Sequence, residues 1–244
     1  VNAYESKNQR STFRLSDLLF KLNELKELKR IRYMTSHPKD VTEDLVQAHK
    51  FCEKLMPILH LPVQSGSTKI LSAMNRKHNI SEFCEIIKKL KKIKPDIRFS
   101  SDFIIGYPGE TDEDFNQTLN LIKKVEFINS YSFIYSSRSG TPASNLDEVD
   151  PNIAKKRLIQ LQSMIEENNS KYKRSFLGKS TEVLFENKLN KQNKYFGRDK
   201  FLNSVIVEHN NDLTGKILDV TINDFNHNNL FGELLTNKKQ NFAA

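Results

Sequence analysis

The apolar and polar positions alternate between two periods along most of the chain. Leu15 to Leu28 carries leucines at helical spacing, Ile31 to Thr35 reads as a short strand closed by Ser36-His37-Pro38, and Thr42 opens a helix running to Leu55. Pro57 to Gln64 is a second strand, which Ser65-Gly66-Ser67 turns into a helix over Thr68 to Met74, and Ser81 caps a further helix to Ile93. Pro95 and Asp96 lead into an apolar strand around Phe99, Phe103, Ile104 and Ile105, with the charged Asp102 inside it. Gly106-Tyr107-Pro108-Gly109 ends it in a tight turn. Thr111 and Asp114 then form a capping-box pattern for a helix whose apolar face is Phe115, Leu119, Ile122 and Val125. Tyr131 to Tyr135 is a fourth strand, Ser137 to Asn145 a loop, and Pro151 begins a long polar helix to about Phe176.

The order β, α repeated four times predicts parallel strands with crossover helices. Four strands are too few for an eight-stranded barrel, which leaves an open sheet or an incomplete barrel. The texture changes after Gly178. Short strand candidates at Thr181–Phe185, Tyr195–Gly197, Ser204–Val207, Lys216–Ile222 and Leu230–Leu235, separated by Asn-rich and Gly-containing turns, suggest a small closed β-barrel of the oligonucleotide-binding kind. The stretch from Thr236 reads as a polar tail.

Composition narrows the function classes. With 37% hydrophobic and 28% charged residues the chain is globular, and no stretch approaches the roughly 18 apolar residues of a membrane span. No membrane partner is expected, and the cytoplasm is the default compartment. The net charge of +8 favours an anionic partner such as nucleic acid. Its densest cluster, Lys88 to Lys94, is either an exposed helix face or a phosphate-binding patch. The two cysteines, Cys52 and Cys84, lie on apolar helical faces without a second cysteine or a histidine at ligand spacing, so they read as structural thiols. There is no glycine-rich phosphate loop with a following Lys-Ser/Thr, no HExxH and no nucleophile elbow.

The candidate chemistry gathers at the carboxyl ends of the parallel strands, where such folds bind ligands. His37 follows the first strand, Gln64, Ser65, Gly66 and Ser67 the second, Asp102 and the Gly106 turn belong to the third, and Arg138 follows the fourth. Gln64 and Asp102 could hydrogen-bond ribose hydroxyls, Arg76 and Arg138 could hold a carboxylate, and the turn amides could meet a purine edge. The same residues could equally be turn formers, a satisfied buried amide and an Arg76–Asp102 structural pair. In the small barrel, Phe185, Tyr195, Phe196 and Phe201 alternate with Lys188, Lys191, Lys194, Arg198 and Lys200, either as stacking platforms with cations for RNA or as core aromatics.

Three stretches in order, LHLPVQSGSTKILSAMNRKHN, SSDFIIGYPGETDEDF and YSFIYSSRSGTPAS, resemble the radical S-adenosylmethionine methylthiotransferases, in the branch that modifies tRNA. The resemblance covers nearly the whole chain. It implies a partial radical-SAM (β/α) barrel over residues 1–177, a TRAM RNA-binding barrel over 178–237 and a polar tail over 238–244. The implied activity is 2-methylthiolation of the isopentenyladenosine beside the tRNA anticodon, with S-adenosylmethionine and 4Fe–4S clusters as cofactors and tRNA as partner. The resemblance implies cofactor-binding roles for Gln64, Ser65, Arg76, Asp102, Gly106 and Arg138, and RNA-binding roles for Tyr195, Phe196, Arg198 and Lys200. It identifies no catalytic side chain. The chain departs from the family in lacking both the CxxxCxxC cysteines and those of the auxiliary cluster. It begins Val1-Asn2-Ala3-Tyr4, which matches the segment after the cluster loop. The expectation is therefore a C-terminal portion, a fragment or half of a split enzyme, inactive without an N-terminal partner carrying the cysteines. The alternative is a non-catalytic RNA-binding protein.

Overall fold

The structure, a computed structural model, describes residues 1–7, 12–189 and 193–235; Lys191 and the tail from Thr236 lie outside them. The chain divides into two compact units, Val1–Asn169 and Ser170–Ala244. The boundary falls within the last helix of the first unit's series.

In the first unit, strands β1 (Glu5–Lys7) and β2 (Thr12–Arg14) pair antiparallel. Helix α1 (Leu15–Glu24) stops short of the expected Leu28, and α2 (Glu43–Phe51) follows. Strand β3 (Ile58–His60) leads to α3 (Thr68–Ala73) and α4 (Ile80–Ile93). The cap of α4 is Asn79 rather than Ser81, with the Asn79 side chain accepting from the Glu82 amide and Glu82 returning a bond to the Asn79 amide. Strands β4 (Arg98–Ser100) and β5 (Asp102–Ile105), helix α5 (Asp112–Val125), strand β6 (Tyr131–Ile134) and helix α6 (Pro151–Arg174) complete the series. The Thr111–Asp114 capping box of α5 forms as its spacing predicts.

β3 pairs parallel with β4, and β5 parallel with β6. The expected strand Ile31–Thr35 is reduced to one parallel bridge, Ile31 to Leu55, and a hydrogen bond from the Ser36 amide to the His60 carbonyl. Its cause is local: Thr35 has a left-handed φ of 59°, which breaks an extended ladder.

One face of these strands is dry. Leu59, Leu61, Val63, Phe99, Phe103 and Ile105 pack against Phe83, Ile87 and Leu90 of α4 and Phe115, Leu119 and Ile122 of α5. The alternation of a strand sends His60, Ser100, Asp102 and Ile104 to the other face. On β6, Tyr131 and Phe133 are the register partners of Asp102 and Ile104, and they are 63% and 57% exposed.

The second unit is a closed five-stranded barrel in the order β10-β11-β9-β8-β7, made of β7 (Ser180–Lys188), β8 (Lys194–Asp199), β9 (Ser204–Glu208), β10 (Ile217–Phe225) and β11 (Asn229–Leu234). Every expected strand is present, longer by one to three residues at one or both ends in most cases. All pairs are antiparallel except β9 with β11. Val183, Phe185, Tyr195, Val205, Val207, Leu213, Val220, Ile222 and Leu230 fill the interior. Two glycines allow the close approach that closure requires. A Cβ at Gly197 would lie 2.5 Å from the Leu184 carbonyl oxygen, and one at Gly232 would lie 2.2 Å from that of Thr221.

Candidate ligand site at the carboxyl ends of the parallel strands

The site begins with a defect in the ladder. His60 pairs with Ser100, but four residues on Gln64 pairs with Phe103, so the register slips by one residue. Pro62 has no amide to contribute inside the slip. The hydroxyl of Ser101 fills the gap, accepting from the Val63 amide at 2.9 Å and donating to the Leu61 carbonyl at 3.0 Å. Gln64 resumes the ladder by donating to the Asp102 carbonyl and accepting from the Ile104 amide, both at 2.9 Å. It does so with φ at 74°, a region glycine favours and glutamine rarely adopts. Such strain persists where the surroundings hold it, and strained residues cluster at functional sites.

The turn after Gln64 is welded to α5. The Gly66 amide donates to Thr118 Oγ1 at 2.9 Å, and a Cβ on Gly66 would sit 2.4 Å from the Thr118 Cα. Ser67 Oγ donates to Asp114 at 2.7 Å, and Lys69 Nζ meets the other oxygen of that carboxylate at 2.8 Å. Burial raises the Asp114 carboxyl. The bonds from Lys69, Thr111 and Ser67 outweigh that and hold it well below the usual carboxylate range.

The Gly106 turn is held from the opposite side. Gly106 has φ of 73°, and its amide donates to Glu110 Oε2 at 2.9 Å. Arg157 of α6 reaches the same oxygen at 2.9 Å and Asp112 at 2.7 Å. Burial pushes the Glu110 carboxyl up, against the pull of the Gly106 amide and Arg157.

Of the residues singled out in the sequence, Gln64, Ser65, Asp102 and Gly106 lie on adjoining strands and their turns, with Gln64 and Ser65 buried. Asp102 opens β5 instead of lying inside a longer strand, and its side chain is 30% exposed. Its carboxylate lies against the His60 ring rather than Arg76. Arg76 follows α3, half-buried, and burial lowers its guanidinium. His78 lies nearby, its ring 5.5 Å from that of His37. Burial, then the His37 and Arg76 charges, bring His78 down to about 4, and both of its ring nitrogens are buried without a hydrogen-bond partner among the described residues. Arg138 is exposed in the loop after β6. His60, Glu110 and His78 lie inside the stretches that carry the resemblance, without a spacing that marks a role for them, and Arg157 lies outside those stretches. Only the two-residue spacing of Ser100 and Asp102, with His60 across the ladder, could have drawn His60 out.

On the barrel, Tyr195 is 1% exposed and belongs to the core, as does Phe185. Phe196 and Arg198 lie on the outer face, with the guanidinium carbon 5.2 Å from the Phe196 ring centre and Nε 3.4 Å from Glu186. Lys200 follows β8, exposed, its ammonium 5.1 Å from the Phe201 ring centre.

Among the described residues no group of three or more His, Cys, Asp or Glu could hold a metal ion. Cys52 is buried in the core of α1 and α2, and Cys84 is half-buried. The residues present therefore do not fit an iron–sulfur cluster. They do suit an adenosyl group, because Asp102 holds a carboxylate on the open face of the sheet beside the Gln64 turn.

The sequence profile of the radical SAM superfamily matches residues 10–122. The chain is 51% identical over 243 residues to the tRNA-2-methylthio-N(6)-dimethylallyladenosine synthase of Pelagibacter ubique, covering 100% of this chain and 54% of that protein. It is 46% identical over 238 residues to the synthase of the same name from Rickettsia akari, covering 96% and 54%. Coproporphyrinogen III oxidase from Escherichia coli, described as a radical SAM enzyme, superposes with a TM-score of 0.48 at 14% identity, over 71% of this chain and 47% of that one, a likeness too slight to bear on the site. The chain is thus similar to the radical SAM superfamily over residues 10–122 and to these synthases along nearly its whole length, and it spans about half of theirs.

Proposed function

We propose that this chain is the S-adenosylmethionine- and tRNA-binding part of a tRNA methylthiotransferase acting on isopentenyladenosine beside the anticodon. The observation that carries the reading is the 51% identity to a synthase of that name over the full length of the chain. Residues 1–177 form the radical SAM core in this reading, and residues 178–237 the TRAM domain. Bound S-adenosylmethionine supplies the radical and the methyl group of such chemistry. The chain's own part is to bind and orient it. The Asp102 carboxylate accepts from the ribose hydroxyls and the Gln64 amide donates to them, Ser65 and the Gly106 turn flank the adenine, and Arg76 and Arg138 hold the amino-acid carboxylate. On the barrel, Phe196 stacks a base while Arg198 and Lys200 meet phosphates.

In this reading the cluster ligands lie in the part of the relatives' length that this chain does not span, and these 244 residues by themselves are inactive. Co-expression with the remaining half of the Pelagibacter ubique relative, followed by mass spectrometry of tRNA nucleosides, tests this. The 2-methylthio product should appear only when both segments are present. Its absence with every cluster cysteine supplied argues against the enzyme reading, and tight tRNA binding in that case points to an RNA-binding protein.

A further inference from the structure

We propose that His60 is a positioning residue for Asp102, aiming its carboxylate at the two hydroxyls of a ribose cis-diol. The inference rests on the reading of Asp102 as a cofactor ligand. Three adjoining strand segments supply the parts: His60 from β3, Ser100 from β4 and Asp102 from β5. The His60 ring is 11% exposed. Its Nδ1 lies 2.8 Å from Ser100 Oγ and its Nε2 3.4 Å from Asp102 Oδ2.

The chemistry of the three groups sets the direction of the chain. An ionised carboxylate only accepts, so the nitrogen facing it carries the hydrogen. A neutral imidazole protonated at Nε2 must accept at Nδ1, and the Ser100 hydroxyl is there to donate. The hydroxyl is 6% exposed as part of its residue and lies on the same strand face as Asp102. Ser100 therefore fixes the tautomer of His60, and His60 fixes one oxygen of Asp102. The torsion that turns a carboxylate is broad, and a half-exposed aspartate without such a neighbour would sample it. Two hydroxyls of a cis-diol need both oxygens aimed together, which a ligand site achieves only with a second layer of support. The 3.4 Å separation is longer than a formed bond, as contacts in unliganded sites often are, and it closes when ligand draws the carboxylate into line.

The test uses this chain and S-adenosylmethionine as the probe, titrated by calorimetry. Asp102→Asn should weaken binding by about tenfold or more, the loss of a charged hydrogen-bonding partner. His60→Asn, whose amide reaches only the Nδ1 position, and His60→Ala should each weaken it by about five- to tenfold. His60→Gln, whose amide nitrogen takes the place of Nε2, should stay within about twofold of the parent. Nitrogen NMR of the parent should show His60 protonated at Nε2, a preference that Asp102→Asn removes. Parent-like affinity in His60→Ala, or His60→Gln as weak as His60→Ala, overturns the inference while leaving the site reading in place. So does an Nδ1-protonated His60 in the parent, whatever the affinities are. No binding by the parent, or full binding by Asp102→Asn, overturns the site reading and the inference with it. Circular dichroism checks each variant, and if His60→Ala does not fold the contrast between His60→Gln and His60→Asn decides.

Discussion

The guanidinium of Arg157 and the carboxylate of Glu110 meet at 2.9 Å, with the Glu110 side chain 0% exposed. The second oxygen of Glu110 and the Nε of Arg157 have no partner among the described residues. Removing the guanidinium leaves a buried charge, which costs about 3–5 kcal/mol. Arg157→Ala should lose that much stability by urea unfolding. The double change Arg157→Met with Glu110→Gln should lose clearly less than the sum of the two single changes. Additive losses would mean that the pair does not act as a unit.

At Gly66 the constraint is steric. A methyl group there would overlap the backbone of α5, with the Gln117 carbonyl oxygen 2.6 Å away as well as the Thr118 Cα. Backbone cannot swing aside as a side chain can. Gly66→Ala should therefore cost about 2–4 kcal/mol, as overpacking against a fixed neighbour does at its upper end. A thermal melt within a degree of the parent would show that α5 can slide away from the turn.

Acid should destabilise the chain through histidines that fold neutral. His49 is brought down to about 3, by burial first and the Lys94 charge second, and its Nε2 lies 2.6 Å from the Tyr33 hydroxyl. Its folded value is below the unfolded one of about 6.5. The stability it contributes is thus full above pH 6.5 and lost as the pH falls toward 3, at up to about 1.4 kcal/mol per pH unit. His78 acts in the same sense down to about 4. Asp114, depressed below the usual range, adds its own loss at lower pH still, below about 4. Urea midpoints measured from pH 7 to pH 4.5 should decline, and His49→Gln should flatten the decline. An unchanged slope would count against a neutral, buried His49.

Gln64 trades stability for placement. Its left-handed backbone costs about 1–2 kcal/mol relative to glycine, partly offset by the greater freedom of an unfolded glycine. Gln64→Gly should raise stability by about 1 kcal/mol or leave it unchanged, yet weaken S-adenosylmethionine binding by about tenfold. A large loss of stability would instead mark the amide as a structural group.

On the barrel, the outer residues of β8 and its following turn should carry the nucleic acid. Replacing Phe196, Arg198 and Lys200 together by alanine should weaken tRNA binding by about tenfold or more and lower the steepness of its salt dependence by about two charges' worth. Tyr195→Phe should leave binding unchanged, since the ring is inside the core. If the triple variant binds as the parent does, another face of the barrel is the one used.

The sequence made the repeating units plain because helices and strands advertise their periods. The capping box at Thr111 and the five barrel strands could be read directly. The strand at Ile31 could not. Its apolar run looks extended, while the left-handed turn at Thr35 has no glycine to announce it. The same blindness hid the register slip at Ser101 and Gln64, because a side chain replacing a backbone bond leaves no mark in composition. His60 and Arg157 were silent for another reason: each matters through a residue far away in the chain. Tyr195 reads alike as a stacking platform or a core ring until the inward alternation of β8 is known.

Closure of the barrel also sets when it can form. β7 waits for β10, and β9 waits for β11, its parallel partner at the end of the described chain. β11 is the only strand between β9 and β10, so until Asn229–Leu234 is in place both of those neighbours expose an unpaired edge. The barrel cannot be built progressively as the polypeptide emerges during synthesis. It is completed in one late, non-local step, and a stop codon just ahead of Asn229 would yield not a slightly shorter barrel but a species with two sticky edges, prone to pair with its own copies.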